Sequence, residues 1–152
     1  MLSERVNDMD KKVLALIDGL NKDLAGEYSA VIQYNYYATT VSGLNYQILK
    51  PFFEEEIPDE LGHAAYLSEK IANLGGEPTT VPAPVATVSD AKAMLEGARQ
   101  AEADTLENYR ERRSQAQELG MIELVVKLED MIADEQNHLE KLTKTLTDPV
   151  FA

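Results

Sequence analysis

The chain has 152 residues, 27 of them acidic and 14 basic, with a formal net charge of −13 and no cysteine. Disulfides, thiolate metal sites and iron–sulfur clusters are thereby excluded, so any metal must be held by oxygen and nitrogen. The acidic balance argues against direct binding to a nucleic-acid backbone, which requires clustered Lys and Arg; the length suits one domain, taken as 1–152, with a substantial core.

Residues from about 10 to 40 are predicted to form one long helix. Val13, Leu16, Ile17, Leu20, Leu24, Glu27, Val31 and Tyr34 follow a helical stripe, with polar residues opposite. Gly19 and Gly26 each cost roughly 1 kcal/mol against alanine in a helix interior, so packing must override propensity there. The run Thr39-Thr40-Val41-Ser42-Gly43 ends the helix. A second helix is predicted over about 46 to 74 and closes at Gly75-Gly76. Pro51 falls in its early turns, while Pro58 removes a backbone hydrogen bond to the carbonyl of Glu54, which predicts a kink or bulge.

The stretch from Gly75 to Val88 contains Pro78, Pro82 and Pro84. Extended, about 14 residues reach ~45–50 Å, and a helix of about 28 residues is ~42 Å long, so the stretch can cross the full length of a bundle. A third helix is predicted over about 90 to 118, capped by Ser89 and stopped by Gly120, and a fourth over about 121 to 146, ahead of Asp148-Pro149. Short turns make each pair antiparallel, and no strand pattern competes. The expected fold is all-α: a four-helix bundle with one long crossover between the second and third helices. No predicted helix approaches the ~18 uninterrupted apolar residues of a membrane span. The N-terminus, with Ser3, Glu4, Arg5 and Asp8, lacks the apolar core of a signal peptide. A cytoplasmic protein is the expectation.

Two short stretches carry the chemistry: Glu60-Leu61-Gly62-His63 and Glu135-Gln136-Asn137-His138. On a helix, positions i and i+3 share a face, so each stretch can offer a carboxylate and an imidazole to one metal ion. These are the only two histidines in the chain, and each Glu-x-x-His has a glutamate 33 residues upstream, Glu27 and Glu102. The simplest alternative is a solvated acidic face, but the flanks are apolar. Glu27 lies among Leu20, Leu24, Val31 and Tyr34; Glu60 among Phe53, Ile57, Ala64 and Leu67; Glu102 among Leu95, Ala98, Leu106 and Tyr109; Glu135 among Leu128, Met131, Ile132, Leu139 and Leu142. Four carboxylates facing one core require cations between them, because an unpaired buried charge costs several kcal/mol. On the third helix Glu102 is preferred over Glu96, Glu107 and Glu111: the flanks of Glu107 are polar, and only Glu102 keeps the 33-residue spacing.

One glutamate from each of two helices and Glu-x-x-His from each of the other two resembles the di-metal site of the ferritin-like superfamily. The likeness is nearest to bacterioferritins and to Dps-like proteins with a bacterioferritin-type site. It is carried by LNKDLAGEYSAVIQY, DELGHAAYLSEKIANLGGEP and ADEQNHLEKL. By this resemblance Glu27 and His63 bind one metal, Glu102 and His138 the other, and Glu60 and Glu135 bridge. It also implies a role beside the metals for Tyr34, whose other reading is an aromatic core residue. Asp59 and Asp134, each preceding a bridging glutamate, either orient an imidazole across the bundle or lie on solvated faces; the solvated face is the expectation.

Departures from the family refine this. Leu61 stands where bacterioferritins have a haem-binding methionine, which argues against haem. Only residues 139–152 follow His138, too few for the fifth helix of a 24-subunit cage, so a 12-subunit shell or a dimer is expected. Rubrerythrin-like peroxidases carry an additional carboxylate where Thr105 and Leu106 stand. Carboxylate and imidazole suit two iron ions, and also Mn or Zn. The expected function is a ferroxidase that oxidises Fe(II) with O2 or H2O2 for storage or detoxification. The alternatives are a di-iron oxygenase or rubrerythrin-like peroxidase, and a non-catalytic Zn- or Mn-binding bundle.

Overall fold

The computed structural model describes residues 2–152. Among these, five α-helices and a short 3-10 turn occur and no strand: α1 (Leu2–Thr40), α2 (Tyr46–Glu54), α3 (Ile57–Asn73), α4 (Ala91–Glu118), α5 (Ile122–Thr145) and the turn Pro149–Phe151. End to end, α2 and α3 form one arm of a four-helix bundle whose other arms are α1, α4 and α5. Residues 74–90 are the long crossover, tied to α1 where the Ala83 amide donates to the Ala25 carbonyl.

The first helix begins earlier than the apolar stripe predicts, at Leu2 instead of about residue 10. The residues before the stripe are mostly polar, and Met9 among them is half-exposed. The kink expected at Pro58 is a break. The Glu55 amide still reaches the Pro51 carbonyl, but the Glu56 amide tightens to the Phe53 carbonyl, and α3 restarts at Ile57 with Pro58 in its first turn. A proline lacks only a hydrogen bond that a first turn would leave unmade anyway, so restarting the helix there is the low-cost solution. The cap of the third predicted helix is Asp90 rather than Ser89: its carboxylate accepts from the Ala93 amide at 3.1 Å. Gly75 and Gly120, both at positive φ, end α3 and α4. In each case the next amide reaches back five residues, Gly76 to Ile71 and Met121 to Ala116, as in a Schellman cap.

The bundle interior has three layers. At one end Leu16, Leu20, Leu67, Ala116, Leu124 and Leu128 form an apolar cluster. At the other, Tyr37, Leu49, Phe53, Met94, Leu95 and Leu142 form a second. Between them lie buried charged and polar groups contributed by all four arms. The periodicity that makes these helices amphipathic therefore delivers the glutamates and histidines to a dry middle layer.

Candidate metal centre

Within one bundle layer, α1 supplies Glu27, α3 supplies Glu60 and His63, α4 supplies Glu102, and α5 supplies Glu135 and His138. All six are at most 5 % exposed. Ligand atoms of Glu27, Glu60, His63 and Glu135 lie within 4.8 Å of one another, and so do those of Glu60, Glu102, Glu135 and His138. Glu60 and Glu135 are common to both groups. All six predicted site residues are thus brought together.

The imidazoles are held from outside the centre. His63 Nε2 is 2.9 Å from Asp134 Oδ2, and His138 Nε2 is 3.0 Å from Asp59 Oδ2. Asp59 and Asp134 are half-exposed, as helix faces toward solvent should be, yet each reaches an imidazole across the bundle, so the solvated-face expectation is only half the answer. Because a carboxylate accepts, Nε2 carries a hydrogen, which leaves Nδ1 as the atom a metal would take once any proton there is lost. Both Nδ1 atoms face the centre.

What they face there is carboxylate oxygens. Among the described residues, seven buried side-chain atoms have no hydrogen-bond partner: Glu27 Oε2, Glu60 Oε1, both oxygens of Glu135, Glu102 Oε2 and the two Nδ1 atoms. His63 Nδ1 is only 2.9 Å from Glu135 Oε1, but the pair is not aligned as a hydrogen bond. Orphaned polar atoms at this density are costly, and here they converge on common points between the helices. Four carboxylates with hard oxygen donors and two imidazole nitrogens fit two divalent ions of the iron, manganese or zinc type.

The electrostatics say the same. Burial lowers the His63 pKa, but the carboxylates of Glu135, Glu27 and Asp134 outweigh it and raise it to about 10. His138 is raised further: burial is again overcome, by Glu102, Glu135, Glu56 and Glu60. Burial, reinforced by Glu135, raises Glu102 to about 9, and burial with the neighbouring Glu27 raises Glu60 well above the usual carboxylate range. Glu135 goes the other way: the closeness of Glu102 and of both histidines overcomes its burial and keeps it ionised. Without cations the cluster retains protons in their place.

Two tyrosines complete the layer. The Tyr34 hydroxyl donates to Glu102 Oε1 at 2.6 Å, and the Tyr109 hydroxyl donates to Glu27 Oε1. Tyr34 is both a core aromatic and a hydrogen-bond donor to the site. Tyr109 is legible in sequence only as an apolar flank of Glu102, but a simple signal identifies it. Glu27 and Glu102, Tyr34 and Tyr109, Asp59 and Asp134, Glu60 and Glu135, and His63 and His138 all lie 75 positions apart. The site has an internal two-fold, and each tyrosine serves the glutamate of the opposite half.

Behind Glu27, one turn back on α1, Asp23 forms a buried ion pair with Arg112 of α4. Arg112 Nε donates to Asp23 Oδ2 at 2.7 Å, Nη2 donates to Oδ1 at 3.0 Å, and Nη1 donates to Gln115 Oε1 at 2.7 Å. Periodicity gives no hint of this pair, since one charged residue on an otherwise mixed stripe reads as a face position.

Residues 17–149 match the family described as the ferritin-like domain. A bacterioferritin from Desulfovibrio desulfuricans is 32% identical over 134 residues, spanning 88% of this chain and 74% of that protein. A nutrient stress-induced DNA-binding protein from Synechococcus is 29% identical over 115 residues, 69% of this chain and 65% of that protein. The crystal structure of a ferritin-like diiron-carboxylate protein from Bacillus anthracis is 60% identical, with a TM-score of 0.88, covering 90% of this chain and 98% of that one.

Proposed function

The chain belongs to the ferritin-like family, and on that footing we propose that it is a ferroxidase serving iron storage or detoxification. Fe(II) is the substrate. Glu27 and His63 hold one ion, Glu102 and His138 the other, and Glu60 and Glu135, the two glutamates common to both groups, bridge them. The observation that carries this reading is the set of seven buried, unpartnered oxygens and nitrogens aimed at shared points.

The chemistry uses the pair as a two-electron unit. Two Fe(II) give up one electron each. Dioxygen takes both with two protons and leaves as hydrogen peroxide, or hydrogen peroxide takes both with two protons and leaves as two waters. Hard glutamate oxygens stabilise the Fe(III) product. Asp59 and Asp134 fix the imidazole rings, while Tyr34 and Tyr109 fix the carboxylates of Glu102 and Glu27. The apolar layers on either side exclude bulk water.

A second reading has one observation in its favour. A cleft of about 420 Å3 between α1 and α4, beneath the crossover, is lined by Tyr34 and Glu102 and could admit an organic substrate to an oxygenase or peroxidase. The storage reading also includes self-assembly, to a dimer or a 12-subunit shell, and a cytoplasmic setting. DNA binding, named for the Synechococcus relative, has little support in a chain of net charge −13.

The test is anaerobic titration of the metal-free protein with Fe(II), then exposure to O2 or H2O2 with near-ultraviolet absorbance recorded, beside the double variant Glu60→Ala, Glu135→Ala. About two Fe(II) per chain oxidised rapidly by the wild type and slowly by the variant is the expected result. Equal, slow oxidation by both refutes a ferroxidase and leaves the non-catalytic Zn or Mn reading. Ferric product accumulating well beyond two ions per chain without organic co-substrate separates storage from oxygenase chemistry.

A further inference from the structure

The internal two-fold of the site fails beside the imidazole of His138. Four residues before Glu60 stands Glu56; four residues before Glu135 stands Met131. Both side chains are buried, Glu56 3 % and Met131 1 % exposed. Glu56 Oε2 lies 2.6 Å from His138 Nε2, closer than Asp59, and Lys141 Nζ lies 3.8 Å from its other oxygen. His63 Nε2 has the half-exposed Asp134 at 2.9 Å, and Met131 offers it no oxygen. His138 Nε2, which hydrogen-bonds to the exposed Asp59, therefore also has a buried carboxylate against it, close but not aligned as a hydrogen bond, whereas His63 Nε2 has an exposed carboxylate alone.

We propose that Glu56 is a positioning residue that makes the two metal positions unequal, so that the Glu102–His138 position binds its ion more tightly and fills first. This rests on the two-metal reading of the centre. Asp59 accepts from the distal N–H of His138 and fixes the ring; the negative charge of Glu56 beside the same N–H makes the ligating nitrogen more basic. A buried carboxylate does so more strongly than a solvated one, because the local dielectric is low and water does not compete. The other charged contact of Glu56 is loose, a half-exposed Lys141 at 3.8 Å. Its backbone carbonyl accepts from the Glu60 amide, but its side chain caps nothing on α3.

The inference is tested with Zn(II), which binds without redox chemistry, titrated into the metal-free full-length protein against a chromophoric chelator. Wild type is expected to load two ions in separable steps. Glu56→Met, which copies the other half of the site, is expected to weaken the tighter step by about ten- to a hundredfold, the usual effect of losing such a partner, and to leave the weaker step within about twofold. Glu56→Gln preserves volume and an acceptor oxygen; it is expected to weaken the same step less, and it keeps the test available if the methionine variant fails to fold. Asp134→Asn is expected to weaken the other step. Two ions bound with both steps weakened equally by the Glu56 variants, or with neither changed, overturns the inference while the two-metal centre stands. Fewer than two ions bound by wild type overturns the two-metal reading itself.

Discussion

Gly19→Ala is predicted to destabilise the protein, although helix propensity alone predicts the opposite. Gly19 lies in the middle of α1, where alanine is worth about 1 kcal/mol more than glycine. A Cβ at Gly19 would fall 2.1 Å from Arg112 Nη1 and 2.3 Å from its Cζ. The guanidinium is the far end of a flexible side chain, and an exposed arginine would swing aside at little cost. This one is 3 % exposed and held on three sides by Asp23 and Gln115. Displacing it breaks a buried ion pair, which costs about 3–5 kcal/mol because the remaining charge has no partner. Subtracting the propensity gain leaves a net loss of about 2–4 kcal/mol, a fall in Tm of roughly 4–16 °C for a domain of this size. Urea denaturation of the metal-free protein, followed by far-ultraviolet circular dichroism, measures it. In an Asp23→Asn, Arg112→Leu background the obstruction is gone, and Gly19→Ala should become neutral or stabilising; that change of sign is the coupling energy of a double-mutant cycle. Gly19→Ala that stabilises the wild-type background would refute the reasoning.

Metal loading should release protons. His63 at about 10 and the raised His138 are both imidazolium in the metal-free protein at neutral pH, so an ion that takes Nδ1 must displace a proton from each ring, detectable with an indicator dye in weak buffer. The metal-free protein should also lose stability as pH rises. Glu102 titrates at about 9 when folded against about 4.3 unfolded, and His63 at about 10 against about 6.5, so the folded state holds more protons between those limits. Denaturation midpoints that rise between pH 5 and pH 9 would contradict this, and saturating Zn(II) should flatten the dependence. Tyr34→Phe and Tyr109→Phe each remove a hydroxyl from a buried carboxylate, at an expected cost of about 1–3 kcal/mol in the metal-free protein. The internal two-fold predicts similar losses from the two substitutions, and calorimetry of both variants checks it.

Where a residue's role follows from its position on a helix, the sequence was a good guide. Leu20, Leu24 and Glu27, or Leu128, Met131 and Glu135, sit on one face because the helical period requires it, and the same stripe that marks the core marks the carboxylates within it. The apolar stripes and their terminators carried the four bundle arms, and the reach of the proline-rich stretch from Gly75 to Val88 carried the crossover. Contacts between helices were less visible. Asp59 looks like any solvated residue until its partner is known to be His138 on another helix. Asp23 and Arg112 are 89 residues apart and neutralise each other only in the folded state. Glu56 faces inward at the end of a helix break whose geometry no periodicity describes. Gly19 is the informative intermediate: its propensity cost was evident from the sequence, and the guanidinium that requires it was not.

The middle layer also predicts a conflict between stability and function. Folding the metal-free chain buries four glutamates and two histidines with seven of their polar atoms unpaired, so the two apolar layers must offset that cost before any metal arrives. Replacing the shared pair, Glu60→Leu and Glu135→Leu, leaves His63 Nδ1 3.5 Å from Glu27 and His138 Nδ1 3.5 Å from Glu102, one imidazole–carboxylate pair on each side. Swapping buried charge for apolar volume while the remaining charges stay paired is often neutral or stabilising by about 1–4 kcal/mol. The double variant is therefore expected to match or exceed the metal-free wild type in urea while losing Zn(II) binding. Wild type should regain the lead when loaded, by about 4 kcal/mol at a free Zn(II) concentration a thousandfold above Kd. A variant markedly less stable than the metal-free wild type would mean that protons shared among the carboxylates already satisfy the layer. In that case the orphaned atoms would no longer argue for metal.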